Sequence, residues 1–150
     1  MKYQHSDAVA IAQVQNSLFA QYPELQQLLN TGTGFDCQIQ VLNRSVSVIV
    51  PTTVDANVPA DTSFHVEQTK QFMAELFGGT SVSEQEGFYK SSQWGMIREK
   101  SVVVRSYTTT ATLEQHFPLL LCFVRYLQIQ LRQETMGVEM DDKFLMIQFT

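Results

Sequence analysis

The chain is short of positive charge and of cysteine. It has 10 basic against 15 acidic residues, a formal net charge of −5, two cysteines, one tryptophan and three histidines. Each scarcity excludes something. An acidic balance supplies no broad phosphate-neutralising surface, so sequence-independent nucleic-acid binding is disfavoured. Cys37 and Cys122 lie far apart among apolar neighbours, which suits reduced core cysteines of a cytoplasmic protein and gives no disulfide framework. His5, His65 and His116 are widely separated, and no His or Cys forms a ligand-spaced pair, so no metal site and no cofactor is expected. No stretch nears the ~20 uninterrupted apolar residues of a membrane span, and the N-terminus lacks the pattern of a secretory leader. A cytoplasmic location without membrane contact is the expectation.

What is present is an ordinary globular composition, 44% apolar and 17% charged over 150 residues, which suits one domain over 1–150. Ile11, Val14, Leu18, Tyr22, Leu25 and Leu29 mark one face of an N-terminal helix over 7–29, with a kink or break at Tyr22-Pro23. "CQIQVLNRSVSVIV" alternates twice with a change of parity, which predicts a hairpin turning at Asn43-Arg44, with a longer loop or bulge as the alternative. After the proline-containing loop 51–61, a helix begins near Asp61 to Ser63 with Phe64, Phe72, Met73 and Leu76 on its face. Gly78 or Gly79 closes it.

Residues 80–108 read as two strands joined by the polar loop "KSSQWG". A further helix carries Leu113, Phe117, Leu120, Leu121, Val124 and Leu131, starting either at a Thr112/Gln115 capping box or near His116 with Pro118 in its first turn. A second apolar stripe on it, Leu119, Phe123, Tyr126 and Ile129, asks for cover by the N-terminal helix or by another subunit. "MGVEMDDKFLMIQF" forms a last hairpin at Asp141-Asp142, with Val138 facing Leu145 and Met136 facing Ile147.

The order contains a β-α-β-β-α-β series. The fold class is therefore α+β: a ferredoxin-like antiparallel sheet with helices on one face over about 45–150, with the N-terminal helix and hairpin as additions. The runs "VIVPTT", "FMAELFGGTSV", "GFY", "MIREKSVVVRSYT" and "QETMGVEMDDKFLMI" resemble a group of small uncharacterised bacterial proteins across roughly Val46 to Ile147. At the last hairpin Asp141-Asp142 stands where those proteins tend to have Asn-Gly. The resemblance implies the fold and carries no activity with it.

Candidate sites are few. Gly78-Gly79-Thr80 follows a helix and precedes a strand, the reverse of a phosphate-cradling loop, and lacks the Lys that such a loop needs. Asp141, Asp142 and Glu139 could hold a cation, but aspartates serve a turn for backbone reasons. No serine lies in a nucleophile-elbow sequence. Glu99 remains, as a general acid/base with Tyr89, and Trp94, Arg98, Arg105 and Tyr107 are candidate ligand-binding residues on or near the open sheet face. Alternation places Glu99, Arg105 and Tyr107 on one face with Val103, while cross-strand charge pairing is the plainer reading of the same residues. The leading expectation is a non-catalytic module that binds a second copy of itself, a partner protein or a small ligand through the third helix or the open sheet face. The alternative is a small enzyme using Glu99, assisted by Tyr89 or Tyr107, in a pocket on the sheet.

Overall fold

The β-branched run Val46, Val48, Ile49 and Val50 builds strand β1 (Arg44–Pro51). In the computed structural model, which describes residues 5–55, 58–92 and 95–150, this strand is the middle of the sheet. One edge pairs antiparallel with β5 (Gly95–Thr108), Val48 facing Val104, and the other with β6 (Thr135–Met140), Val48 facing Val138. Beyond β5 lies β4 (Ser81–Ser91) and beyond β6 lies β7 (Lys143–Gln148), giving the order β4-β5-β1-β6-β7. The first four strands in this order, β4-β5-β1-β6, are those of a ferredoxin-like sandwich, and β7 extends the sheet by one strand. A two-stranded ribbon of β2 (Thr53–Val54) and β3 (Val58–Pro59) follows β1.

Period-two alternation gives the sheet one apolar face. Val46, Val48, Val50, Val104, Met136 and Val138 point from it into a single buried cluster. Met73 of α3 (Ser63–Phe77) and Leu113, Leu120, Val124, Leu127 and Leu131 of α4 (Thr110–Leu131) complete that cluster from the helical layer. Burial of each such side chain stabilises by roughly 1.5–3 kcal/mol before conformational entropy is charged against it. Phe64, expected on the buried face of α3, is instead 64% exposed. It lies in the first turn, before the helix reaches Thr69 and Met73, its two buried residues.

The chain divides into two compact units, one up to Gln40 and one from Val41. In the first, the break at Tyr22 separates α1 (His5–Gln21) from α2 (Pro23–Thr31), with Pro23 opening α2 where its missing amide proton costs nothing. Among its described side chains, residues 7–40, none is buried, Val14 and Leu25 of the apolar stripe included.

Three expectations are corrected here. Residues 36–43 form no strand, so the hairpin through Asn43-Arg44 is not made, and Ile39 is 83% exposed. The physical reason is that β5 pairs with the whole of β1 on one edge and β6 takes Val46 to Val48 on the other, the positions that Val41 and Ile39 would need to face. Cys37 and Cys122 are free but exposed, not core residues: Cys37 lies in that unpaired segment and Cys122 on the outer side of α4. And α4 starts neither at Thr112 nor at His116. Thr109 caps it, its hydroxyl accepting from the Thr112 amide at 3.3 Å, so Pro118 falls inside the helix.

Other local features match the sequence. Asp61 accepts from the Ser63 amide at 3.0 Å just before α3. Gly78, at φ 93°, ends that helix in the left-handed conformation that glycine adopts without a Cβ penalty. The β6–β7 register pairs Val138 with Leu145 and Met136 with Ile147, and Asp141 takes φ 55° in the turn. Gly137 has a further role. A Cβ there would lie 2.7 Å from the Phe144 ring and 3.2 Å from the Ile49 side chain, so its absence lets Phe144 lie across the outer sheet face.

Candidate active site on the long hairpin

Strand β5 has two unlike halves. From Ser101 to Arg105 it is paired on both sides, to β4 and β1, and from Ser106 to Thr108 to β1; from Gly95 to Lys100 it is paired in the sheet only to β4. The outer half therefore extends past the helix-covered core, and Glu99 lies there. In the ladder Glu99 faces Gly87, which presents no side chain, with Gln85 and Tyr89 diagonal to it. Its carboxylate is half-buried, and Oε1 accepts from the Thr53 hydroxyl at 3.3 Å. Among the described residues that is its one bond, a long one from a neutral donor. Burial raises the Glu99 pKa above its ordinary 4.5, and the Thr53 bond offsets this only in part.

Thr53 reaches Glu99 because β1 runs on past Pro51, which faces Ser101, into β2. Thr52 fixes the crossing by donating from its hydroxyl to the Lys100 carbonyl at 2.6 Å. Between this crossing and the hairpin is a depression of about 380 Å³. Thr52, Gln85, Ser101 and Val102 line it together with the charged side chains of Glu84, Glu86 and Lys100. Its volume lies at the lower end of small-ligand pockets. Glu99 is not part of the lining: the side chains of Glu84, Glu86, Lys100 and Val102 alternate to the face of the hairpin opposite Glu99.

The other sequence candidates separate. Arg98 points to the opposite side of the hairpin, pairs with Glu86 at 2.9 Å and lies over the Phe88 ring at 5.7 Å. Arg105 and Tyr107 share the face of Glu99, as alternation requires, but six residues at about 3.3 Å place Arg105 roughly 20 Å away along the strand. Arg105 donates to the Ser47 hydroxyl at 3.1 Å and to Glu139 at 3.4 Å, a tie across β5, β1 and β6. Tyr107 is exposed. Tyr89 faces Ile97 in register, while its side chain, like Trp94 as a whole, lies outside the described residues. The cation reading of the last turn is also met by local bonding: Asp141 accepts from the Ser45 amide and from Arg44, at 3.0 and 2.9 Å.

Sequence reasoning passed over Thr53 and the carboxylates Glu84 and Glu86. Thr53 lies in what reads as a connecting loop, 46 residues from the side chain it touches. Only the observation that β5 is longer than its neighbours would have pointed to it.

Fold and site together define an α+β sandwich with a half-buried carboxylate, Glu99, that has one hydroxyl donor among the described residues. No family model and no curated protein matches the sequence. Among solved structures the chain is similar to a phage SAM lyase in complex with S-methyl-5'-thioadenosine, at 17% identity and a TM-score of 0.57, over 76% of this chain and 95% of that one. A phage SAM lyase in the apo state matches at 17% identity and a TM-score of 0.55, over 75% and 97%. Identity this low establishes a shared fold. Even so, it corrects the leading expectation of a non-catalytic module, and that of relatives without a known activity. The fold spans nearly the whole of an enzyme, so the lack of a local catalytic motif does not argue against catalysis.

Proposed function

We propose that this chain is a small enzyme that uses Glu99 as its acid/base carboxylate and acts on a cationic sulfonium nucleoside of the S-adenosylmethionine class. The observation that carries the reading is the state of Glu99: half-buried, held among the described residues by one hydroxyl, and with its pKa raised by burial. The likeness to the phage SAM lyase supports the substrate class. So does charge: a net −5 chain attracts a cation.

Breaking a carbon–sulfur bond of a sulfonium sends the bonding pair to sulfur and leaves a neutral thioether. The carbon released is then satisfied by an internal nucleophile, or by a neighbouring C–H pair whose proton goes to a base. In either course an ionised Glu99 holds positive charge near the reacting centre, and in the second it also takes the proton. The test is incubation of the purified chain with S-adenosylmethionine and mass-spectrometric detection of S-methyl-5'-thioadenosine, with Glu99→Gln in parallel. Release by the wild type and its loss in the variant are expected. A wild type that leaves the substrate intact would sink the substrate class, and a fully active Gln variant would remove Glu99 from the chemistry.

A further inference from the structure

Thr53 has to be held before it can hold Glu99, and the residue that holds it is Gln133, just past the C-terminal end of α4. The Gln133 Nε2 lies 3.1 Å from the Thr53 carbonyl, 3.2 Å from the Asp55 carbonyl and 3.0 Å from the Leu131 carbonyl. A side-chain amide has two protons to donate, so three acceptors share them. Gln133 is itself fixed from behind. Its amide donates to the Gln128 carbonyl at 3.1 Å, its carbonyl accepts from the Gln128 side chain at 2.6 Å, and Arg125 donates to the Gln128 side-chain oxygen at 3.0 Å. The Asp55 amide also donates to the Leu131 carbonyl at 3.0 Å, and Arg132 pairs with Asp55 at 3.0 Å.

Two non-glycine residues at positive φ, Asp55 at 57° and Arg132 at 50°, flank this junction. Such conformations persist where the surroundings over-determine them. The junction joins the end of a core helix to the short ribbon that supplies the Thr53 hydroxyl.

We propose that Gln133 is a positioning residue for Glu99: by tying the carbonyls on both sides of Val54 to the end of α4, it sets the Thr53 hydroxyl on the Glu99 carboxylate. The inference rests on Glu99 being the reactive group, and its test needs no substrate. The groups around Glu99 keep that test simple. From β4 the facing positions are Gly87, Gln85 and Tyr89, and from its own strand Ile97 and Ser101. Arg98 and Lys100 belong to the other face, where Arg98 pairs with Glu86, while Asp55 and Arg132 on the junction pair with each other.

The experiment is an NMR titration of the Glu99 side-chain carboxyl in the full chain, for wild type, Thr53→Val, Gln133→Met and Gln133→Asn. Thr53→Val keeps the shape and removes the donor to the ionised form, so the midpoint rises further. Gln133→Met and Gln133→Asn release the Thr53 segment and admit water. Because burial is the larger cause of the raised pKa, their midpoints fall toward 4.5. Opposite shifts from the two sites support the proposal, whereas general destabilisation gives no such pattern. An unchanged midpoint in whichever folded Gln133 variant is measured overturns it, as does an unchanged midpoint in Thr53→Val. Failure of the wild type to cleave S-adenosylmethionine, read separately, would count against the substrate reading and leave this result standing.

Discussion

The two hairpins at opposite edges of the sheet treat their carboxylates in opposite ways. At the β6–β7 turn, Asp141 accepts from a backbone amide and from Arg44, and its pKa is lowered, the Ser45 amide bond being the largest cause. On the outer half of the β4–β5 hairpin, Glu99 has among the described residues one neutral hydroxyl at 3.3 Å, and burial raises its pKa. A carboxylate with charged and backbone donors has its charge committed to the fold. One that is half-buried with a single weak donor keeps an unmet demand, which a cationic ligand or a proton can satisfy.

The strongest way to break this comparison is to neutralise both carboxylates. Glu99→Gln should lower the rate of S-methyl-5'-thioadenosine release by about 10²–10⁴-fold, the usual contribution of a positioned acid or base. It should leave the protein at least as stable at neutral pH, because it removes a charge that burial disfavours. The sign follows from linkage: a raised folded pKa gives stability that is full below the unfolded value and is lost as pH rises through the folded one. Denaturant melts at pH 7 beside the rate assay check both halves. A Gln variant that is both active and less stable would place Glu99 with the structural charges.

The next effect in size is on the pH profile. If ionised Glu99 is the working form, kcat/KM rises with pH along an acidic limb whose midpoint lies above the ordinary 4.5 of a glutamate. A limb at or below that value would contradict the burial seen here. Asp141→Ala should do the reverse of Glu99→Gln, leaving the rate within about twofold while weakening the fold above the acid range. Asp141 has a depressed folded pKa, so its contribution is present above pH 3.8 and is lost as pH falls through the folded value. Wild type and variant should therefore differ in urea midpoint at pH 7 and converge in strong acid.

The same contrast explains what could be read from the sequence. The β6–β7 register, the break at Pro23 and the stop at Gly78 depend on residues within a few positions of one another, and local alternation, ring geometry and left-handed backbone decide them. The hairpin expected at Asn43-Arg44 failed because whether β1 is central depends on strands 50 to 100 residues further on, which take the positions that Val41 and Ile39 would need to face. Glu99 stood out as a carboxylate between Arg98 and Lys100 at the start of a strand, but its grouping with Arg98 and Arg105 dissolved once pairing and distance were fixed. Thr53 and Gln133 had no local signature at all. Each acts through partners brought close only by the crossing from β1 into β2 and by the end of α4.

The smallest effect, and the one that sharpens the comparison most, is expected at Arg105. It shares a strand and a face with Glu99, and composition alone marks both as site candidates. Yet Arg105 already serves Ser47 and Glu139, both partners in the Arg105–Glu139 pair are about a third exposed, and the pair lies roughly 20 Å from Glu99 at about 3.3 Å per residue. Partly exposed pairs of this kind contribute about 1 kcal/mol or less. Arg105→Leu should therefore shift the urea midpoint slightly, leave kcat/KM within about twofold, and leave the acidic limb of the pH profile in place. A large loss of activity with an unchanged limb would mean that the substrate spans the sheet face from Glu99 to Arg105, and the boundary between structural and reactive charge would then have to be redrawn along the whole of β5.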